Sequence, residues 1–112
     1  MSVLEQIQSV EQFDTLLQKK EQFFLLKHSN TCPISQAGYD EFNEFANARP
    51  EIDCYYLVVQ EARPVSNHIA ETFHVKHESP QTILFVKQGV AWHASHWKIT
   101  NNNMADALAE NQ

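Results

Sequence analysis

The sequence predicts an α/β fold, a central mixed β-sheet flanked by helices in the order β-α-β-α-β-α-β-β-α. Two observations carry that prediction. Short apolar runs alternate with stretches of helical periodicity through the first four strands, as expected of parallel strands joined by right-handed crossovers. Lys87-Gln88-Gly89 then turns the chain back into a further strand, which adds an antiparallel partner. The 112 residues suit one domain, residues 1–112.

Each element has a local reason. Val3 to Gln8 reads as a short first strand. Ser9 with Gln12 forms a capping box, and Val10, Phe13, Leu16 and Leu17 keep helical spacing, with Lys19 and Lys20 suited to the negative C-terminal end. Gln22 to His28 encloses Phe23-Phe24-Leu25-Leu26, a continuous apolar run expected of a strand buried on both faces. Ser29-Asn30-Thr31 is turn-like, and Pro33 is tolerated in the first turn of a helix running to Ala48. That helix places Phe42 and Phe45 on one face, with Asp40, Glu41 and Glu44 mostly on another, and Pro50 closes the segment. Cys54 to Val59 is the next β-rich run, followed by an Arg63-Pro64 turn and a short helix from Ser66 to Phe73, with Ser66 as its cap. Thr82 to Val86 and Val90 to Ile99 make a hairpin with Gly89 as its turn residue. Thr100 or Asn101 caps a last helix carrying Met104, Leu108 and the alanines.

Composition narrows the function. Apolar residues make up 43% of the chain and aromatic residues 11%, a globular rather than a disordered balance. The net charge of −6, with no Lys/Arg cluster, gives no attraction to nucleic acid or to an anionic membrane. The longest apolar run falls far short of the ~20 residues that span a bilayer. No basic leader precedes an apolar stretch at the N-terminus, so a cytoplasmic location is expected. Two cysteines are too few for a disulfide framework, two glycines leave no phosphate-cradling loop, and no Cys/His set has structural-zinc spacing, so no metal is expected.

Cys32 stands where a buried strand ends and a helix begins. The unpaired N–H groups and dipole of a helix start favour thiolate over thiol, and comparable cysteines have pKa values lowered from ~8.5 to roughly 3.5–7.5. The thiolate is the nucleophile of thiol–disulfide exchange. The plain alternative is a small, inert, buried cysteine. Thr31-Cys32-Pro33-Ile34-Ser35 has the form C-x-x-S. Ser35 can donate a hydrogen bond to a thiolate but cannot resolve a mixed disulfide, so an external thiol must release Cys32. Downstream, Pro80 follows Ser79 at the start of a strand whose entry loop lies near the Cys32 loop in this topology. A cis Ser79–Pro80 bond accounts for a proline there and frees Ser79 backbone groups to pair with a bound thiol or peptide; an ordinary trans proline limiting the strand is the other reading.

Four blocks make a resemblance specific: residues 28–35 (HSNTCPIS), 60–67 (QEARPVSN), 77–81 (HESPQ) and 92–97 (WHASHW). Together they resemble the monothiol bacilliredoxins of the bacillithiol system, within the thioredoxin-like fold. The resemblance implies an oxidoreductase that removes bacillithiol from oxidised protein cysteines. Cys32 takes the attacking role, Pro80 the cis-proline role, and Ser35 stands where dithiol relatives keep a resolving cysteine. Thr31, Pro33, Ser35, Ser79 and Pro80 are the expected substrate-binding residues. Bacillithiol enters as co-substrate without another cofactor; the expected partners are bacillithiolated clients, with bacillithiol or a second redoxin for recycling. Three rivals stand beside this reading: a monothiol oxidoreductase using another low-molecular-weight thiol, a redox-sensing or binding module without turnover, and an iron–sulfur carrier.

The remaining polar residues have two readings each. Cys54 lies beyond a helix of roughly 15 residues, or about 20 Å, which carries the chain to the opposite end of the sheet, so it reads as a core or edge cysteine and not as a resolving partner. His93 and His96, three apart on a strand, face opposite sides and do not share one ion. His28 either tunes the Cys32 thiolate or is buried at a strand end. His77, near Pro80, is placed to contact substrate. Arg63 and Lys27 either attract a carboxylate-bearing thiol or are solvated surface charges.

Overall fold

Alternating patterning dictates a sheet covered on both faces, and the computed structural model, which describes residues 4–31 and 33–111, has that architecture. The elements are β1 (Glu5–Gln6), α1 (Val10–Lys19), β2 (Gln22–His28), α2 (Pro33–Ala48), β3 (Cys54–Val58), α3 (Arg63–Phe73), β4 (Gln81–Val86), β5 (Gly89–Ser95), a 3₁₀ turn (His96–Lys98) and α4 (Asn101–Glu110). The sheet order is β1-β3-β2-β4-β5. β1, β3 and β2 run parallel, but β4, expected as a fourth parallel strand, runs antiparallel to β2, because residues 74–80 bring the chain from α3 into β4 at the end where β2 finishes, with Gln81 beside Lys27; β5 then pairs antiparallel with β4. None of the described helices is long and apolar enough to cross a membrane.

Strand alternation divides the core in two. Phe23 and Leu25 of β2, Tyr55 and Leu57 of β3 and Ile83 and Phe85 of β4 pack with Phe13 of α1 and Val65 and Ile69 of α3. Phe24, Leu26, Cys54 and Leu84 point the other way, against Phe42 and Phe45 of α2 and Met104 and Leu108 of α4. Stacked Phe23 and Phe85, with centroids 4.9 Å apart, and edge-on Phe13 at 5.5 Å from Phe85 anchor the first half.

Several boundaries differ from the sequence expectations, each for a local reason. α3 begins at Arg63, because Pro64 sits in its first turn where the missing N–H costs nothing. Ser66 is therefore not a cap: it lies buried inside the helix. The hairpin turns at Lys87 and Gln88, both left-handed at φ 51° and 66°, so Gly89 is the first residue of β5 instead of the turn residue. β5 stops at Ser95, because His96 adopts a left-handed φ of 55° and opens the 3₁₀ turn. Ser9 and Thr100 cap α1 and α4 as expected, each accepting a backbone N–H in the first turn. The first strand is shorter than expected, and Val3 lies outside the described residues.

Candidate active site

The C-terminal ends of the parallel strands, where open α/β sheets bind ligands, bring three segments together. β2 and β3 end side by side, with His28 paired to Val58. β4 begins at the same end, with Gln81 paired to Lys27. The link from β2 to α2 runs through Ser29, Asn30 and Thr31 to Pro33. Cys32, the expected nucleophile, lies outside the described residues; its chain neighbours Thr31 and Pro33 are both exposed. The Ser79–Pro80 peptide bond is cis.

Gly38 is the close-packing point between α2 and the Pro80 loop. A Cβ on it would lie 3.4 Å from Pro80 Cβ and 3.5 Å from Ile99 Cδ1. His96 N–H donates to the Pro80 carbonyl at 3.1 Å, which ties the 3₁₀ turn to the same loop. Ser79 is half-buried, and among the described residues its buried hydroxyl has no hydrogen-bond partner.

Ser35 is fully buried in the first turns of α2. Its Oγ accepts the Ser29 N–H at 2.7 Å and lies 3.2 Å from His28 Nδ1. The hydroxyl therefore staples the end of β2 to the start of α2. His28 packs against Tyr39 of α2 at 5.1 Å between ring centroids. Burial lowers its pKa from the ordinary imidazole value, opposed by the hydrogen bond to Ser35 and the charge of Asp40. It is half-buried at the end of β2, in line with the strand-end reading of this histidine.

Gln60, just past β3, is a residue for which the sequence suggests no role. Its Nε2 donates to Ser29 Oγ at 2.8 Å and to Thr31 Oγ1 at 3.3 Å, while its Oε1 accepts the Asn30 N–H at 3.3 Å. One side chain from the neighbouring strand end thus fixes three consecutive residues ahead of position 32. Only its place in the 60–67 block of the resemblance distinguishes it in sequence.

Lys27 departs from both expectations. It is completely buried, so it is neither a solvated charge nor an open anion receptor. Strand alternation turns it toward α3, where Nζ donates to the Ser66 carbonyl at 3.2 Å and meets His77 Nδ1 at 3.4 Å. Burial lowers its pKa to about 8. Ser66 Oγ also lies 3.1 Å from His77 Nδ1. His77 is held below the ordinary imidazole range by burial first, then by the charges of Lys27 and Arg63. Arg63 is exposed at the first position of α3.

Cys54 is buried at the far end of β3, paired with Phe24, four places before His28, or about 13 Å along the strand. Burial, reinforced by Asp53, pushes its thiol up to about 12. Among the described residues no three His, Cys, Asp or Glu side chains converge as metal ligands would.

Known proteins share this fold. The family model for monothiol bacilliredoxin BrxC matches residues 5–104. A solved structure described as having a thioredoxin fold is 42% identical, with 95% of this chain and 94% of that one covered and a TM-score of 0.90. An Entamoeba histolytica thioredoxin variant is 17% identical over 96% of this chain and 99% of its own, with a TM-score of 0.75. The thioredoxin of Fasciola hepatica is 10% identical over 97% and 100%, with a TM-score of 0.78. These last two bear on the fold alone.

Proposed function

This chain belongs to the monothiol bacilliredoxin family of thiol–disulfide oxidoreductases acting on thiol-modified proteins, and from that premise we propose that it removes bacillithiol from protein mixed disulfides through Cys32. The observation that carries the reading is the packing of α2 against the Ser79–Pro80 loop through Gly38, at the sheet end where β2 finishes, in a chain with Ser at position 35. The Cys32 thiolate attacks the bacillithiol sulfur of the mixed disulfide. The client–bacillithiol S–S bond breaks, the client sulfur leaves with the electron pair and takes a proton from water, and Cys32 retains bacillithiol. A second thiol, free bacillithiol or another redoxin, then attacks the retained bacillithiol sulfur and releases Cys32 as thiolate. Ser35 has no sulfur to offer, so no internal disulfide closes the cycle.

In this reading Thr31, Pro33, Ser79 and Pro80 line the approach to the reacting sulfur. The backbone of Ser79 and the hydroxyl of Ser35 orient the mixed disulfide. Bacillithiol is the co-substrate, and no further cofactor takes part.

Intact-mass analysis tests the proposal. Reduced protein is mixed with a bacillithiolated test protein, alongside Cys32→Ser and Cys54→Ser. The bacillithiol mass should move to the parent protein and to Cys54→Ser, and not to Cys32→Ser. If the mass never moves although Cys32 still reacts with alkylating reagents, the reading fails. If a glutathionylated version of the same test protein is relieved equally well, bacillithiol is not the specific thiol.

A further inference from the structure

Trp97 is the one large apolar side chain that stands open to solvent among the described residues, at 71% exposure. Its position has a local cause. His96 takes a left-handed φ of 55° and donates its N–H to the Pro80 carbonyl at 3.1 Å, so β5 ends against the Pro80 loop and Trp97 leaves the sheet in the 3₁₀ turn. Trp97 there lines an open cleft of about 470 Å³ with Gly38, Asp40 and Glu41 of α2 and Ile99. Gly38 is also the residue that packs on Pro80, so the cleft borders the site already described.

A lone exposed indole needs no explanation. An indole sharing a cleft with two carboxylates is a different matter. Gln36 Nε2 donates to Asp40 Oδ1 at 3.0 Å, and the Asn101 N–H donates to Glu41 Oε1 at 2.8 Å. These neutral donors hold both acids in place, and neither acid is paired with a cation among the described residues. Fixed negative charge beside an aromatic face attracts a flat cation, and a guanidinium both stacks on indole and forks onto carboxylate. We infer that the cleft receives an arginine side chain of the client protein, lying close to the modified cysteine, with its guanidinium on Trp97 and its N–H groups toward Asp40 and Glu41. This rests on the family's action on thiol-modified proteins. The net charge of −6 steers basic segments toward the chain and sets a second copy of it at a disadvantage as the occupant.

The test is a nitrogen-15 NMR titration at about pH 8, above the ordinary imidazole range. The probes are short peptides with a central Ser in place of the modified cysteine, flanked on both sides by Arg, by Ala or by Glu. Binding is then read without thiol exchange. The two indole N–H signals belong to Trp92 and Trp97, and Trp97→Phe assigns them. The Arg peptide should move the Trp97 indole and the Asp40 and Glu41 amides, and leave the Trp92 indole in place. It should bind at least about tenfold more tightly than the Glu peptide, with the Ala peptide between them, and added salt should narrow the gap. Asp40→Asn should shrink the preference several-fold. Trp97→Ala should shrink it similarly, and Trp97→Phe, which keeps an aromatic face, should restore part of it. Trp97 and Asp40 are both exposed, so the variants keep the core intact.

Three results overturn the inference. One is equal affinity for the Arg and Glu peptides. Another is an Arg preference that survives undiminished in both Trp97→Ala and Asp40→Asn, which means that net charge alone attracts the peptide. The third is a Trp97 indole signal that moves with protein concentration in the absence of peptide, which assigns the cleft to a second copy of the chain. Bacillithiol transfer from bacillithiolated Arg-flanked and Glu-flanked peptides, followed by intact mass, separates this from the functional reading. Transfer without an Arg preference sinks the cleft only. An Arg preference in binding without any transfer sinks the bacillithiol reading and leaves the cleft standing.

Discussion

At the scale of single residues, burial decides what each polar group can do. Cys54 lies among Phe24, Phe42 and Phe45, where a thiolate has no support. Ser35 shows the opposite use of burial. Its hydroxyl satisfies the Ser29 N–H, so Ser35→Ala leaves a buried donor without its acceptor. Such a loss costs about 1–3 kcal/mol, which urea unfolding of the variant should read as a lower midpoint with an unchanged slope. An unchanged midpoint would mean that water or a shifted backbone replaces the hydroxyl. The C-x-x-S spacing makes Ser35 visible in the sequence. Its partners are not visible, because His28 belongs to the preceding strand and meets it only when β2 and α2 pack.

At the scale of elements, α2 and the Pro80 loop are held at a spacing set by Gly38. The nearest atoms to an added Cβ, at 3.4–3.5 Å, leave room for one methyl group and no more. Gly38→Ala should therefore fold normally and stabilise the helix by roughly 0.5–1 kcal/mol, from the higher helix propensity of alanine. Gly38→Leu should push Pro80 and Ile99 away, lowering bacillithiol transfer at least several-fold while the helical circular dichroism persists. Equal transfer rates in Gly38→Leu and the parent would show that the α2–Pro80 spacing is not needed for activity. The strands were legible at this scale because β2 and β4 are continuous apolar runs and the helices keep a clean period. Boundaries were less so. Arg63-Pro64 reads as a turn from composition, and only packing of Val65 into the α1–α3 half of the core shows that the helix has already begun.

At the scale of the whole molecule, Lys27 makes stability depend on pH. Its pKa falls from 10.5 to about 8 on folding, because the centre of the sheet desolvates the ammonium. The unfolded chain therefore holds more protons between those values, and stability rises with pH across that window. The folded state carries the full cost of the buried charge below pH 8 and is relieved of it above 10.5. Cys54 and Tyr55 act in the opposite sense, since both acids are raised to about 12, and they weaken the fold as pH climbs beyond their ordinary values. Comparison with Lys27→Met cancels those two contributions. The stability of the parent relative to that variant should increase by roughly 3 kcal/mol between pH 7.5 and 10.5 in paired denaturant titrations. A difference that stays flat would place the Lys27 ammonium in contact with water.

The chain's own order of residues was enough to determine the fold class, the order of its elements and the C-x-x-S spacing of Cys32 and Ser35, because periodicity, capping and motif spacing are local properties. Tertiary structure alone decided that Gln60 clamps a loop some thirty residues away, that Lys27 is buried beneath His77, and that His28 shares the Ser35 hydroxyl. Those contacts join strand ends that are distant in sequence and adjacent only after the parallel crossovers have closed. Side-chain direction at a strand end follows from register, and register is set by the whole sheet.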